Sequence, residues 1–189
     1  YKRQEKYPDA KFTAFGGLCL NHPVGGLNPD AAETSLKLGA KVIWLPTNTA
    51  ENHYRKNGKD PSKGVVVTRD GKAVDELQDI FALVKQYNAV LATGHIGAEE
   101  CFPVVEAARA AGVEKIVITH PEFWVVGMTP EQQADIVRKY DVLLESVYAQ
   151  PVNGGYKINI PDNIAAMKAI GPEHFVISTD SGQTVNPYW

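Results

Sequence analysis

Val90-Leu91-Ala92-Thr93-Gly94-His95 decides the reading of this chain, together with its echo Ile116-Val117-Ile118-Thr119-His120-Pro121. Each is a short apolar run that closes on Thr and then His, and each is followed by a helix-start signal. Apolar runs without polar alternation mark strands buried on both faces, and such strands belong to parallel sheets. A histidine delivered at the C-terminal end of such a strand stands where α/β proteins keep ligands and catalysts. A third run, Phe175-Val176-Ile177-Ser178-Thr179-Asp180, ends on a carboxylate. Two imidazoles and a carboxylate at equivalent strand ends are the pattern to explain.

Working upstream, Phe12 to Leu20 reads as a strand closed by Asn21-His22-Pro23 and Gly25-Gly26. Asn28-Pro29-Asp30 opens a helix with an N-cap and an early Pro, which runs to Leu38 and stops at Gly39. Lys41 to Leu45 is the next strand. Asn48 to Gly64 reads as a long polar loop, and Val65–Val67 with Lys72–Val74, joined through Asp70-Gly71, as a small hairpin. Asp75 is expected to cap a helix to about Tyr87, with Leu77, Ile80, Phe81 and Val84 on one face. Downstream, helix 98–111, strand 115–119, a helix from Thr129-Pro130 to Tyr140, strand 142–147, a helix from Pro161-Asp162 to Ile170 and strand 175–180 alternate regularly. Six strands alternating with helices predict a parallel α/β sheet or a (β/α) barrel, as one domain over 1–189 with an insertion at about 48–74.

Composition narrows the function. The chain has 189 residues, of which 44% are hydrophobic and 22% charged, values ordinary for a globular protein that buries a sizeable core. A net charge of −3 argues against nucleic acid as a partner. No apolar run approaches a membrane span, and the polar N-terminus is unlike a signal sequence. Cys19 and Cys101 read as free thiols, which implies a cytoplasmic setting. Neither G-x-G-x-x-G after the first strand nor a P-loop is present. A Schiff-base aldolase is disfavoured, because no Lys stands at a strand's C-terminal end.

His95 and His120 lie one βα unit apart, and His120 and Asp180 two. Neutral imidazole suits Zn²⁺, with Mn²⁺ or Fe²⁺ as alternatives, and a carboxylate completes a hydrolytic site that keeps a place for water. Other candidates carry a structural alternative beside the functional one. Glu122 either contacts substrate or is a loop carboxylate, and His53 either binds substrate or is a solvated side chain. Gln183 lies just past Asp180 and is a candidate to face the site. His22 is a weaker candidate, His174 looks structural, and Glu145 belongs inside its strand. The basic run Arg55, Lys56, Lys59 and Lys63 would favour an acidic substrate if it folds over the mouth. Trp44 and Trp124 either line that mouth or pack.

Thr93-Gly94-His95, Thr119-His120-Pro121-Glu122 and Ser178-Thr179-Asp180-Ser181-Gly182 resemble strands 5, 6 and 8 of the amidohydrolase superfamily of metal-dependent hydrolases. Leu20-Asn21, Val24-Gly25-Gly26-Leu27-Asn28-Pro29 and Trp44-Leu45-Pro46-Thr47 are similar to a bacterial amidohydrolase-like branch. The resemblance implies a (β/α)8 TIM barrel, here with about six of eight units. It implies His95 and His120 as metal ligands, and Asp180 as both ligand and catalytic carboxylate that takes the proton from metal-bound water and returns it to the leaving group. The superfamily's His-x-His and its strand-4 bridging residue have no counterpart here. The expectation is therefore one metal rather than two, in a fragment that lacks strands 1 and 2. The expected activity is hydrolysis of an amide, ester or lactone-like bond in a small polar substrate. The rivals are a metal-assisted decarboxylase or lyase, and a non-catalytic, ligand-binding or degenerate barrel. Open edges at 12–20 and 175–180 would make the chain a homo-oligomer.

Overall fold

Asn28 begins the first helix as its sequence requires, its side-chain oxygen accepting from the backbone N–H groups of Asp30 (3.0 Å) and Ala31 (3.3 Å). The structure is a computed structural model that describes Asp9, Lys11 and residues 13–152, 155–158 and 160–180. Along the chain it forms β1 (Gly17–Cys19), α1 (Pro29–Lys37), β2 (Val42–Trp44), α2 (Glu51–Lys56), β3 (Thr68–Arg69), β4 (Lys72–Ala73) and α3 (Leu77–Gln86). It continues with β5 (Val90–Ala92), α4 (Ala98–Ala110), β6 (Ile116–Ile118), α5 (Pro130–Tyr140), β7 (Leu143–Val147), β8 (Ala149–Val152), β9 (Gly155–Ile158), α6 (Ile160–Ile170) and β10 (Phe175–Ser178).

Six strands form one parallel sheet in the order β1-β2-β5-β6-β7-β10, so each strand is followed in space by the next one in sequence. Parallel neighbours joined by right-handed crossovers put every crossover helix on the same face. The contacts of α1 with α3, α4 with α5, and α5 with α6 agree with that layering. The core lies between sheet and helices. Ile43, Leu91, Ile118 and Leu144 from the strands meet Leu36, Ile80, Phe81, Val104 and Ile136 from the helices, all buried. On the other face Trp44, Glu145 and Ser178 remain half-exposed. Gly17 is needed there, because a Cβ on it would stand 2.4 Å from the Trp44 ring.

Of the expected incomplete barrel, the six parallel strands and the two open edges are present. The sheet is open, with β1 and β10 as its edges, and no closed barrel forms among the described residues. Closure needs strand number, tilt and stagger to match around a full ring, and six strands supply an arc.

Local chemistry explains most of the remaining elements. Thr129 and Gln132 cap α5 reciprocally, at 3.2 and 2.9 Å. Asp70 and Gly71 both take positive φ (50° and 72°), as the tight turn between β3 and β4 demands. Asp75 does not cap α3, which starts at Leu77 with no side-chain cap. The first strand is shorter than Phe12 to Leu20, and Phe12 lies outside the described residues.

Two segments differ in kind. The expected loop at 48–64 contains α2 and a 3₁₀ turn at Pro61–Lys63, and a second hairpin, β8 with β9, occupies an expected loop. The stretch Glu51-Asn52-His53-Tyr54-Arg55-Lys56 has no apolar stripe to announce a helix. Tertiary bonds hold its start instead, from Glu51 N–H to Val65 C=O (3.0 Å) and from Val65 N–H to Thr49 C=O (2.7 Å). Among the described residues no helix is long and apolar enough to cross a membrane.

Candidate active site

The Thr before each strand-end His has a structural task. The Thr119 hydroxyl accepts the Gly94 N–H (2.9 Å), and the Thr93 hydroxyl accepts the Thr119 N–H (3.0 Å). This buried reciprocal pair ties the ends of β5 and β6 together and sets the two histidines side by side. Gly94 then turns the chain at φ +65°, passing so close to β2 that a Cβ would meet the carbonyl oxygens of Leu45 at 2.5 Å and Pro46 at 2.6 Å. The His95 N–H closes the turn on the Pro46 C=O (3.0 Å). His120 and Asp180 both sit at positive φ, 25° and 50°. Non-glycine residues in that region cost about 1–2 kcal/mol each, and such strain gathers at functional sites.

These strand ends open onto a cleft of about 350 Å³ at the C-terminal edge of the sheet. His95, His120 and Asp180 all line it, together with Glu145, Cys19 and Thr119. Trp44, Thr47 and Asn48 complete its wall, so of the two tryptophans considered Trp44 is the one that lines the mouth. The His95 and His120 rings lie 5.0 Å apart, and Phe123 meets them edge-on at 6.0 and 4.6 Å. His53 reaches the cluster from α2. Its ring lies nearly parallel to that of His95, with centroids 4.9 Å apart and planes at 16°, and the two Nδ1 atoms are 2.8 Å apart.

Burial keeps these imidazoles neutral. It holds His95 well below the usual histidine range, with His120 and His53 adding to the effect, and it brings His120 down to about 4. His53 is lowered by burial and by Lys59. Glu145 is pushed up by burial and by the charge of Asp180, while the Ser178 hydroxyl donates to its Oε1 (2.8 Å) and opposes the shift.

The donors suit a divalent metal in kind. They are neutral ring nitrogens and a carboxylate, and His120 Nδ1 is buried with no hydrogen-bond partner. Their spacing is looser, since no group of three or more His, Cys, Asp or Glu side chains among the described residues is placed to hold one ion.

Other candidates lie elsewhere. Glu122 lines a second cavity, of about 480 Å³, between α5 and α6, with Asp162 and Asn163 beside it and an alanine-rich wall. Burial pushes its carboxyl up to about 7. Gln183 lies outside the described residues. His22 bonds through Nε2 to the Lys63 C=O (2.7 Å), and His174 ends a 3₁₀ turn before β10. The basic run stays off the cleft lining: Arg55 pairs with Glu51 (3.5 Å), and Lys59 lies over the Tyr54 ring (5.4 Å).

Sequence reasoning missed two asparagines. Asn52, 2% exposed, donates to the carbonyls of His95 (3.0 Å) and Val125 (2.7 Å). Asn21 accepts the N–H groups of Thr47 (2.9 Å) and Thr49 (3.2 Å) and donates to the Thr47 hydroxyl (2.8 Å), latching the β1 and β2 ends together. Asn21 stood in the motif Leu20-Asn21 as a signal. Asn52 carried none.

Among solved structures, an amidohydrolase from Pseudomonas aeruginosa is similar in fold, with a TM-score of 0.55 at 12% sequence identity. The likeness covers 83% of this chain and 47% of that one, so the chain spans about half the length of the structure it matches. The comparison with curated proteins finds no match. A sequence family described as "Family of unknown function (DUF6282)" matches residues 2–145. That match extends over most of the chain and takes in His53, His95 and His120, and the protein accordingly belongs to the family of unknown function DUF6282.

Proposed function

We propose that this protein is an amidohydrolase-type hydrolase, dependent on a divalent metal, that cleaves an amide, ester or lactone-like bond in a small polar substrate. What supports the reading above all is the convergence of two neutral strand-end imidazoles and the Asp180 carboxylate on one cleft, with the buried His120 Nδ1 lacking a partner. His95, His120 and Asp180 would hold the metal, most readily Zn²⁺, with Mn²⁺ or Fe²⁺ as alternatives. When bound, such an ion supplies Lewis acidity that lowers the pKa of water toward ~7.

The chain's own groups would do the rest. Asp180 Oδ would take the proton from the attacking water and pass it to the leaving nitrogen or oxygen. Glu145, held by the Ser178 hydroxyl, would stand beside Asp180 as a second carboxyl of the cleft. Trp44 would wall the reacting bond from bulk water, with Phe123 packed against the two imidazoles. His53 and Glu122 remain proposed substrate contacts, His53 from beside His95 and Glu122 from the second cavity.

A second reading, a barrel-like domain that binds a small ligand without turnover, is favoured by the absence of a three-donor group among the described residues. Elemental analysis of the purified protein after zinc loading and desalting decides between them. The hydrolase reading expects near-stoichiometric metal that is lost in both His95→Ala and His120→Ala, and turnover of a panel of esters, lactones and amides. Metal at background in the wild type would sink it.

A further inference from the structure

His53 is the one member of the imidazole cluster that does not come from a strand end. It lies within α2, and its neighbour Asn52 grips the same target from the same helix. Asn52 Nδ2 donates to the backbone C=O of His95 (3.0 Å), while His53 Nδ1 meets the His95 ring at Nδ1 (2.8 Å). Two consecutive residues of α2 therefore hold both the main chain and the ring of one cleft residue.

The ring contact has a chemical consequence. Two bare nitrogen lone pairs repel at 2.8 Å, so one Nδ1 must carry the proton and the other must accept it. With its Nδ1 committed to His53, His95 has only Nε2 left to offer the cleft. A neutral imidazole has a single N–H. A ring that presents a bare Nε2 must carry its proton on Nδ1 and needs an acceptor there, and such acceptors fix the tautomer and orientation of ligand histidines.

We propose that His53 is the positioning residue of the site: its Nδ1 accepts the His95 Nδ1–H, locks the ring plane, and leaves the His95 Nε2 lone pair facing the cleft. An imidazole here takes the place that a carboxylate or backbone carbonyl more often fills. His53 lies nearly parallel to His95 (16°), as an in-plane N–H···N bond requires, and packs against Trp124 at 6.4 Å, which restricts its own ring in turn. The inference rests on the proposed role of His95 only for the direction of the hydrogen bond.

Long-range ¹H–¹⁵N spectra of the full chain, stripped of metal with chelator at mildly alkaline pH, read the tautomer of His95 directly, with its signals assigned by their loss in His95→Gln. The wild type should show His95 as a single Nδ1–H species. In His53→Ala the Nδ1–H population should fall below half in favour of the Nε2–H form that free imidazole prefers. In His53→Gln, whose amide oxygen can accept the same proton, it should recover in part. A His95 that carries its proton on Nε2 in the wild type overturns the proposal without any variant, and so does an Nδ1–H tautomer unchanged in a folded His53→Ala. Because the readout needs no metal, an Nδ1–H His95 in a chain that binds none would sustain His53's role while the metal-dependent reading fell.

Discussion

At the scale of single residues, Gly94 joins a close backbone approach to a positive φ. Gly94→Ala must place a methyl against two carbonyl oxygens and adopt φ +65°, and the expected cost is roughly 2–4 kcal/mol, read as a lowered urea midpoint. Gly58 has nearly the same φ, +66°, with nothing within 4 Å, so Gly58→Ala should cost only about 1 kcal/mol. Equal losses would mean that the Leu45 and Pro46 carbonyls yield and the close approach is unimportant. Protonation gives a second residue-scale prediction. His120 takes a proton near 6.5 when unfolded but only at about 4 when folded, so the unfolded chain binds more protons between those values. Stability is therefore lost as pH falls from 6.5 toward 4, by about 3 kcal/mol in full. Glu122 acts in the opposite sense: the folded chain keeps its proton up to about 7, and the unfolded chain releases it near 4.5, so its contribution is lost as pH rises through that window. Denaturation of metal-free protein at several pH values should show His120→Gln gaining on the wild type as pH drops, and Glu122→Gln gaining as pH rises. Parallel curves for either variant would contradict its assignment.

Among the elements, α2 owes its place to tertiary hydrogen bonds, from backbone and from Asn52, rather than to its own propensity. Six residues without an apolar stripe are too few to be stable alone. Asn52→Leu would keep the volume and strip the donors from the His95 and Val125 carbonyls, at an expected cost of about 1–3 kcal/mol. The damage should be local: hydrogen exchange over 50–57 should accelerate while α4 and α5 stay protected. Faster exchange throughout would show instead that α2 is integral to the whole core. The strand ends illustrate the contrary case, since the Thr93 hydroxyl accepts the Thr119 N–H and the Thr119 hydroxyl accepts the Gly94 N–H, all at the ends of β5 and β6.

At the scale of the whole sheet, the described residues leave two edges, β1 and β10. On β10, Ile177 pairs in register with the buried Ser146 of β7 and is nonetheless 76% exposed among the described residues. Apolar, unpaired strand edges recruit other chains. We expect sedimentation to show association that grows with concentration, and Ile177→Lys to shift it toward monomer. A wild type that sediments as a monomer throughout would remove the edge as an interface.

What this sequence determined alone is whatever neighbours along the chain decide. The unalternating apolar runs became parallel strands, Asn28 and Thr129 became caps, Asp70-Gly71 became a turn, and Thr-Gly-His with Thr-His brought two histidines to one strand-end cleft. Tertiary structure alone decided what depends on partners far away in sequence. It made α2 from an apparent loop, because carbonyls more than forty residues away satisfy Asn52. It laid His53 against His95, and it sent Glu122, only two positions past His120, into a different cavity. Sheet closure belongs to the same class. Each strand's pattern is the same in an arc and in a ring, and only the count and tilt of all strands together distinguish them.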